Sequence, residues 1–289
     1  MASFVKQEIK ISCEDNYVLA ATAYLPDNVK AAVVIGPATG IKRQFYNAFA
    51  EYLAGNDFGV LTYDNRGIGQ SIDGDIASHT ASLQCWGQLD KPGAISCLQQ
   101  LFPNTSYHLV GHSAGGQLIG LAKNATELSS IFNFASSSGQ LRNMKLKDQF
   151  KSHFFMNMFI PLSNMLFGYT KSQWFSMGEP LPKQVAKQWQ TWCNGSGYVK
   201  TAFNKTVFTH YYNELAMPAL WVNAVDDFIA TDENVRDMLS VCPNLVANTL
   251  TLSPADHNLN EIGHMKFFSR RANTLWPIAL DWLNSHAEQ

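Results

Sequence analysis

The chain has 289 residues, of which 46% are hydrophobic and 15% charged, and its formal net charge is −2. This length and composition are typical of a globular α/β protein with a sizeable core. Acidic and basic residues are mixed along the sequence without a basic stripe, so a nucleic-acid partner is not expected.

Cysteine usage and hydropathy favour a cytoplasmic location. The five cysteines are odd in number and form no CxxC pair, which predicts reduced thiols, no disulfide framework and no metal site. Residues 1–10 lack the apolar run of a secretory signal. The most apolar stretch, 154–167, is interrupted by polar residues and a proline and falls short of the ~20 residues of a membrane span. We therefore expect no integral membrane association; the oligomeric state stays open.

The first predicted elements are two antiparallel strands, at about residues 8–12 and 17–24. The runs AAVVI at 31–35 and FGVLTY at 58–63 are continuously apolar, which is typical of strands buried on both faces. A helix is predicted between these two runs, ending at Gly55.

The rest of the chain alternates strands and helices, with one interruption. Strands are predicted at 107–110, 128–135, 219–224 and 245–252, and helices at 94–102, 114–122, 232–239 and 276–283. This order predicts a mostly parallel central sheet with helices on both faces. We expect residues 1–139 and 213–289 to form this core, and residues 140–212 to form a helical cap insertion. The inner face of the insertion is expected to form an acyl pocket, and the alternative is a helical subdomain that only buries its own core. The large apolar side chains behind this expectation are Phe154, Phe155, Phe159, Leu162, Leu166, Phe167, Trp174, Phe175, Trp189 and Trp192.

The sequence Gly-His-Ser-Ala-Gly at 111–115 lies between a predicted strand and a predicted helix. In that context, G-x-S-x-G predicts a nucleophile elbow, with Ser113 exposed on a sharp and strained turn. Glycines two residues on either side remove Cβ atoms that would clash across the turn. The backbone N–H groups at the start of the following helix can bind a developing oxyanion.

A serine nucleophile needs a base and an acid to orient that base. The chain order expected for this fold is serine, acid, histidine. Asp226 and Asp227 both follow the predicted strand at 219–224, and chemistry in open α/β sheets gathers at the carboxyl ends of strands. These residues alone do not separate the two aspartates.

Two histidines follow the last predicted strand. His264, just before the final helix, is favoured over His257, which lies in a polar turn. His112 flanks the serine, but neighbours on a sharp turn point apart, so a structural or pocket-lining role is expected for it.

Several segments resemble the α/β-hydrolase superfamily, and the resemblance covers nearly the whole chain. They are Gly-His-Ser-Ala-Gly-Gly at 111–116, Asp-Asn-Arg-Gly-Ile-Gly-Gln-Ser at 64–71, Val-Asp-Asp-Phe-Ile-Ala at 225–230 and Ile-Gly-His-Met-Lys-Phe-Phe at 262–268. More narrowly, the chain resembles a bacterial group of serine esterase-like or serine aminopeptidase-like hydrolases without assigned substrates. That likeness lies in the Arg-Gly-Ile-Gly loop, the tryptophans at 189–192 and Leu-Trp-Pro at 275–277.

The resemblance implies the α/β-hydrolase fold and roles for three side chains. Ser113 matches the nucleophile and His264 the general base. Asp227 matches the acid, because it lies four residues ahead of a position that often holds proline, here Thr231.

The resemblance also implies an oxyanion hole made of backbone N–H groups. One donor is Ala114, which follows the nucleophile. The other comes from the loop Gly-Pro-Ala-Thr-Gly at 36–40, which has glycine where histidine is usual. Pro37 has no N–H, which leaves Ala38, the favoured residue, or Thr39.

These features together predict a serine hydrolase that cleaves a carboxylic ester or thioester of a small-molecule acyl substrate through an acyl-enzyme. No metal or organic cofactor is implied. The alternatives are a serine aminopeptidase- or amidase-like hydrolase, and a catalytically silent ligand-binding protein on the same fold. A dehalogenase is excluded, because it would need aspartate at position 113.

Overall fold

A computed structural model describes residues 2–287, and its centre is an eight-stranded sheet. The strands of the chain are β1 Phe4–Ser12, β2 Val18–Pro26, β3 Ala31–Gly36, β4 Phe58–Tyr63, β5 Tyr107–His112, β6 Ser130–Phe134, β7 Tyr169–Thr170, β8 Leu181–Pro182, β9 Pro218–Ala224 and β10 Val246–Leu252. The sheet order is β1-β2-β4-β3-β5-β6-β9-β10, and β7 and β8 form a separate hairpin. β2 is antiparallel to both β1 and β4, whereas the other neighbours are parallel.

Helices cover the sheet, and three of them lie in the segment between β6 and β9. The helices are α1 Asn47–Ala54, α2 Leu83–Cys85, α3 Lys91–Leu101, α4 Ala114–Gln117, α5 Leu146–Phe154, α6 Ile160–Phe167, α7 Lys183–Cys193, α8 Asp232–Leu239 and α9 Trp276–His286. A π-helical turn joins α2 to α3, and a second one, Phe155–Phe159, joins α5 to α6. No helix within residues 2–287 is long and apolar enough to span a bilayer.

The buried strands pack apolar side chains on both faces, as their continuous hydrophobicity predicts. Along β3, Ala32 and Val34 belong to a core shared with α3 and α8, while Val33 and Ile35 face the opposite core, shared with α1 and α9. Successive side chains of a strand point to opposite faces, so a strand between two helical layers must be apolar at every position. The predicted fold class is confirmed.

The helix after the serine is shorter than its sequence predicts. α4 ends at Gln117 and a 3₁₀ turn, Ile119–Leu121, replaces the remainder. The Gln117 carbonyl accepts the Tyr212 hydroxyl at 2.6 Å, and the Gly120 carbonyl accepts the Tyr211 N–H at 2.6 Å. Because residues distant in sequence satisfy these carbonyls, the helix does not need another turn.

The loop after β4 is held by buried ion pairs. Asp64 accepts from the backbone N–H and the guanidinium of Arg43, at 2.6 and 2.5 Å. Arg66 contacts Asp15 at 2.6 Å and Asp90 at 2.5 Å, which ties this loop to the β1–β2 turn and to the start of α3. The Arg-Gly-Ile-Gly motif therefore has a structural role on this side of the sheet.

Residues 140–212, which we call the cap segment, leave the sheet between β6 and β9 and contain α5, α6, α7 and the β7–β8 hairpin. Phe155, Ile160 and Trp192 of this segment are buried in the same core as Leu109 of β5. The cap segment thus has no separate core of its own, and the domain boundaries stay a prediction.

Candidate active site

Ser113 lies on the sharp turn between β5 and α4, with φ 49° and ψ −115°. A positive φ is strained for any residue with a Cβ and costs on the order of 1–3 kcal/mol. A Cβ on Gly111 would lie 2.6 Å from the Gly116 Cα, and one on Gly115 would lie 1.9 Å from the Gly36 carbonyl oxygen. These close approaches hold the turn and explain why the flanking positions are glycine.

His264 contacts both predicted partners. Its Nε2 lies 3.0 Å from the Ser113 Oγ, and its Nδ1 lies 2.8 Å from the Asp227 Oδ2. The three side chains come from the carboxyl edge of the parallel sheet, after β5, β9 and β10, as expected for this topology. In contrast, His257 lies in a 3₁₀ turn, and its side chain makes no hydrogen bond within residues 2–287.

Asp227 is held as a buried carboxylate. It is 3% exposed, and its Oδ1 accepts the N–H groups of Ile229 and Ala230 at 2.8 and 2.9 Å. Burial alone would raise the pKa of Asp227, but His264 and these two N–H groups outweigh it and hold the pKa below its usual value. Asp227 is therefore ionised at neutral pH and fixes the orientation of the imidazole.

Asp226 has a different task, which sequence reasoning missed. Its two carboxylate oxygens accept the N–H groups of Ile262 and Gly263 at 2.9 and 3.0 Å. Asp226 thereby anchors the loop that carries His264. The α8 helix does not need it as a cap, because the Thr231 hydroxyl accepts from the Asn234 N–H at 3.2 Å.

A buried hydrogen-bonded chain runs beneath the serine through Tyr46 and His112. The Tyr46 hydroxyl lies 2.9 Å from the Ala38 N and 2.9 Å from the His112 Nδ1, and the His112 Nε2 lies 3.0 Å from the His264 carbonyl oxygen. A carbonyl only accepts, so Nε2 carries the hydrogen and the neutral ring accepts at Nδ1. Burial lowers the pKa of His112 to about 3, which keeps the ring neutral. The chain therefore runs in one direction, from the Ala38 N–H to the Tyr46 O–H to His112 and on to His264.

This chain bears on the expected oxyanion donors. The N–H of Ala38 points to the Tyr46 hydroxyl, and so it is already engaged. The N–H groups of Thr39 and Ala114 have no partner within residues 2–287, and both residues lie at the site. In the loop at 36–40, Thr39 is therefore the candidate donor whose N–H is not engaged by Tyr46. The sequence does not reveal this, because it contains no sign that Tyr46 reaches the loop.

The family resemblance implies histidine at position 36, and the structure gives a steric reason for the glycine found there. A Cβ at position 36 would lie 2.9 Å from the Gly115 carbonyl oxygen and 3.1 Å from the Lys91 Nζ. Lys91 is buried, and its ammonium donates to that carbonyl at 2.8 Å. Burial lowers the pKa of Lys91 to about 7. A side chain at position 36 would therefore crowd both the Gly115 backbone and the Lys91 ammonium.

A cavity of about 400 Å³ opens beside Ser113 and His264, and the cap segment forms much of its wall. Its apolar lining includes Leu141, Met144, Phe155, Met156, Phe175 and Trp189. Of the cap residues expected here, Phe155, Phe175 and Trp189 line the wall. Phe159 and Trp174 do not, because Phe159 packs behind Phe155 and Phe175, and Trp174 is 62% exposed. The only carboxylate among the lining residues, Glu261, is paired with Lys266.

Several solved structures share this fold. A soluble variant of monoglyceride lipase from Saccharomyces cerevisiae, in complex with a substrate analogue, has a TM-score of 0.67 and 12% identity, over 100% of this chain and 96% of that one. An esterase from Pyrococcus furiosus has a TM-score of 0.63 and 16% identity, over 98% and 91%. A hypothetical protein from Pseudomonas aeruginosa has a TM-score of 0.64 and 14% identity, over 99% and 95%. At these identities the likeness establishes the fold.

Sequence comparison establishes the family. No curated protein matches the chain significantly. The family model described as serine aminopeptidase, S33, matches residues 19–163, which is half of the chain and includes the serine turn. Together with the eight-stranded sheet, this match shows that the chain belongs to the serine aminopeptidase S33 family of α/β hydrolases.

Proposed function

We propose that the chain is a serine hydrolase that cleaves carboxylic esters or thioesters with an apolar acyl group. The observation that carries this proposal is the continuous contact from Ser113 Oγ to His264 at 3.0 Å and on to Asp227 at 2.8 Å, beside an apolar cavity. A nucleophile within hydrogen-bond reach of a base, which a third group orients, is the arrangement that acyl transfer needs.

The reaction proceeds in two halves. His264 Nε2 takes the hydroxyl proton as Ser113 Oγ attacks the carbonyl carbon, and the oxyanion accepts from the N–H groups of Ala114 and Thr39. The carbon–oxygen or carbon–sulfur bond then breaks, and His264 returns the proton to the leaving alcohol or thiol. Water, deprotonated by His264, releases the acid from the acyl-enzyme and restores Ser113. Asp227 stabilises the imidazolium in both halves.

The cavity favours esters over peptides as substrates. An aminopeptidase must bind the ammonium group of a peptide N-terminus, for which an unpaired carboxylate in the pocket is the usual chemical solution. The one carboxylate in the described wall is already paired with Lys266. The apolar wall fits a hydrocarbon chain, because burial of each CH₂ contributes about 0.8 kcal/mol.

The test is labelling and turnover by the intact chain. We expect a fluorophosphonate probe to label the chain and p-nitrophenyl esters to be hydrolysed, with both activities lost in Ser113→Ala. Circular dichroism and thermal melting serve as the fold control for that variant. Labelling that persists in Ser113→Ala would place the nucleophile elsewhere.

Aminoacyl p-nitroanilides test the peptidase alternative in the same assay. Faster turnover of these amides than of the esters would assign the site to peptides. A wild-type chain that neither labels nor turns over any of these compounds would be a binding protein.

A further inference from the structure

The outer side of the helix formed by α5, the π turn and α6 carries a run of exposed apolar side chains. Of the twenty large apolar side chains exposed in residues 2–287, ten lie between Leu146 and Phe175, about a tenth of the chain. Leu146 and Phe150 are 75% and 78% exposed. We call this surface the cap face, and it consists of Leu146, Phe150, Phe154, Met158, Leu162 and Met165.

The spacing of these residues places them along one side of the helix. The first five follow one another at intervals of four. In an α-helix each such step drifts by about 40° around the axis. The π-helical turn Phe155–Phe159 holds more residues per turn, and this offsets part of that drift. A run of highly exposed apolar side chains along one side of a helix is typical of an interaction site.

The charges around the cap face identify its partner. Residues 140–212 contain nine basic residues, lysine or arginine, and two acidic ones. The rest of the chain contains twelve basic residues and twenty-one acidic ones. Lys145, Lys147 and Lys151 are exposed and alternate with the apolar residues of α5. Lys171 lies 3.6 Å from the centre of the Phe167 ring. None of these four lysines forms an ion pair within the described residues.

Apolar side chains combined with unpaired lysines fit an anionic lipid surface. Interfacial helices bury Phe and Leu among the acyl chains while Lys binds the phosphates. A second copy fits this surface less well. A twofold dimer would bring the same face of each copy together, and the lysines of the two copies would repel.

We propose that the cap face docks the chain on an anionic bilayer. Lys151 and Phe155 lie in the cavity wall on the same helix that carries Phe150 and Phe154 outward. Docking would therefore bring the acyl cavity to the lipid interface. This last step, delivery of a lipid-borne ester, rests on the proposed function, whereas the docking itself rests on exposure and charge.

The docking is tested with the full chain carrying Ser113→Ala, so that binding is measured without turnover. Co-sedimentation is compared for vesicles of phosphatidylcholine alone and for vesicles of equal phosphatidylcholine and phosphatidylglycerol. We expect at least roughly tenfold tighter binding to the anionic vesicles, which weakens as salt is added. Phe150→Ser combined with Met158→Ser should weaken it about tenfold or more, because two buried apolar groups are lost. Lys147→Glu should weaken binding to the anionic vesicles by roughly fivefold or more.

A matched control lies on the surface outside the cap segment. Val246 is 62% exposed at the start of β10, far along the chain from the cap segment, and Val246→Ser should leave vesicle binding unchanged. Equal binding by wild type and the Phe150/Met158 variant, or no binding to the anionic vesicles, would overturn the proposal. So would a wild-type dimer that this variant converts to a monomer, because the occupant would then be a second copy.

Delivery of a lipid-borne ester to the cavity is tested separately, by hydrolysis rates of the chain that retains Ser113. The Phe150/Met158 variant should hydrolyse a short soluble ester at the wild-type rate but a long-chain ester presented in anionic vesicles at least about fivefold more slowly. Equal slowing of both would contradict delivery. Absence of all hydrolysis would defeat the proposed function and leave the sedimentation result to decide the docking.

Discussion

At the scale of single residues, two adjacent aspartates have different tasks: Asp227 orients the His264 side chain, and Asp226 supports the loop that carries His264. Asp227 contacts the His264 imidazole, whereas Asp226 accepts the backbone N–H groups of Ile262 and Gly263, the two residues before His264. Asp227→Asn should lower kcat on the order of 10³-fold or more, because an amide favours the wrong tautomer of His264. Asp226→Asn keeps one acceptor oxygen and should cost less than about tenfold. The measurement is kcat for a short p-nitrophenyl ester, and the reverse ranking would move the acid to Asp226.

Tyr46 connects the loop at 36–40 to the loop that carries His264, through its hydrogen bonds to Ala38 and His112. Tyr46→Phe leaves the Ala38 N–H and the His112 Nδ1 buried without a partner, which should lower the free energy of unfolding by about 2 kcal/mol. We expect kcat to fall about tenfold while KM changes little, because the loops that hold reacting groups shift.

Tyr24→Phe is the control for this prediction. Tyr24 is also buried, and its hydroxyl donates to the Asn47 side chain at 2.8 Å and not to the loop at 36–40 or to a histidine. Its loss should cost stability without affecting kcat. Equal kcat values for the two variants would contradict a positioning role for Tyr46.

At the scale of elements, the 3₁₀ turn Ser172–Phe175 of the cap segment contains both a cavity residue and a surface residue. Phe175 lines the cavity, whereas Trp174 beside it does not. In wild type, kcat/KM should rise roughly fourfold per added CH₂ of the acyl group until the cavity is full. Phe175→Ala should flatten this dependence and leave the shortest ester unaffected, since that ester does not reach the cap wall.

Trp174→Ala is the matched control, because it removes an aromatic ring from the same turn. Its profile of kcat/KM against acyl length should follow wild type. If both variants, or neither, change the profile, then the wall formed by this turn does not determine acyl specificity.

At the scale of the whole molecule, His112 links the site to acid stability. Its pKa in the folded chain is lowered to about 3 by burial, from 6.5 as its ordinary value. Between these values the unfolded chain binds a proton that the folded chain does not, so stability falls as the pH falls through this window. The slope approaches about 1.4 kcal/mol per pH unit.

His112→Gln removes this contribution while keeping a polar side chain. The difference in unfolding free energy between wild type and this variant, measured by urea at about pH 7 and about pH 5, should shrink by about 2 kcal/mol at the lower pH. A difference that stays constant between the two conditions would show that His112 is not neutral and buried across this range.

The shared core sets how the cap segment relates to the sheet. Phe155 and Trp192 are buried in the same cluster as strand residues such as Leu109. A cap fastened in this way loses apolar burial if it opens, so the cavity is a preformed feature of the folded chain. The cap segment is basic and the remainder of the chain is acidic, so charge is distributed unevenly along the sequence.

Local patterns were sufficient to predict the elements and the serine turn. The eight predicted strands correspond to the eight strands of the sheet. For the central strands the reason is that a strand between two helical layers must be apolar at consecutive residues. Likewise, the turn around Ser113 needs glycine at Gly111 and Gly115, which are close neighbours in sequence. The order of serine, aspartate and histidine followed from the same strand-by-strand order.

Orientation, in contrast, came from contacts between distant parts of the chain. Local pattern alone did not separate Asp226 from Asp227, and only the family resemblance matched Asp227 to the acid. The resemblance also favoured Ala38, although that N–H turns inward to Tyr46. Of the apolar cap residues that were expected at the pocket, Phe155, Phe175 and Trp189 line the cavity, whereas Phe159 and Trp174 do not. Neighbouring residues in a loop or turn have the same local pattern, and which of them faces the site depends on partners tens of residues away.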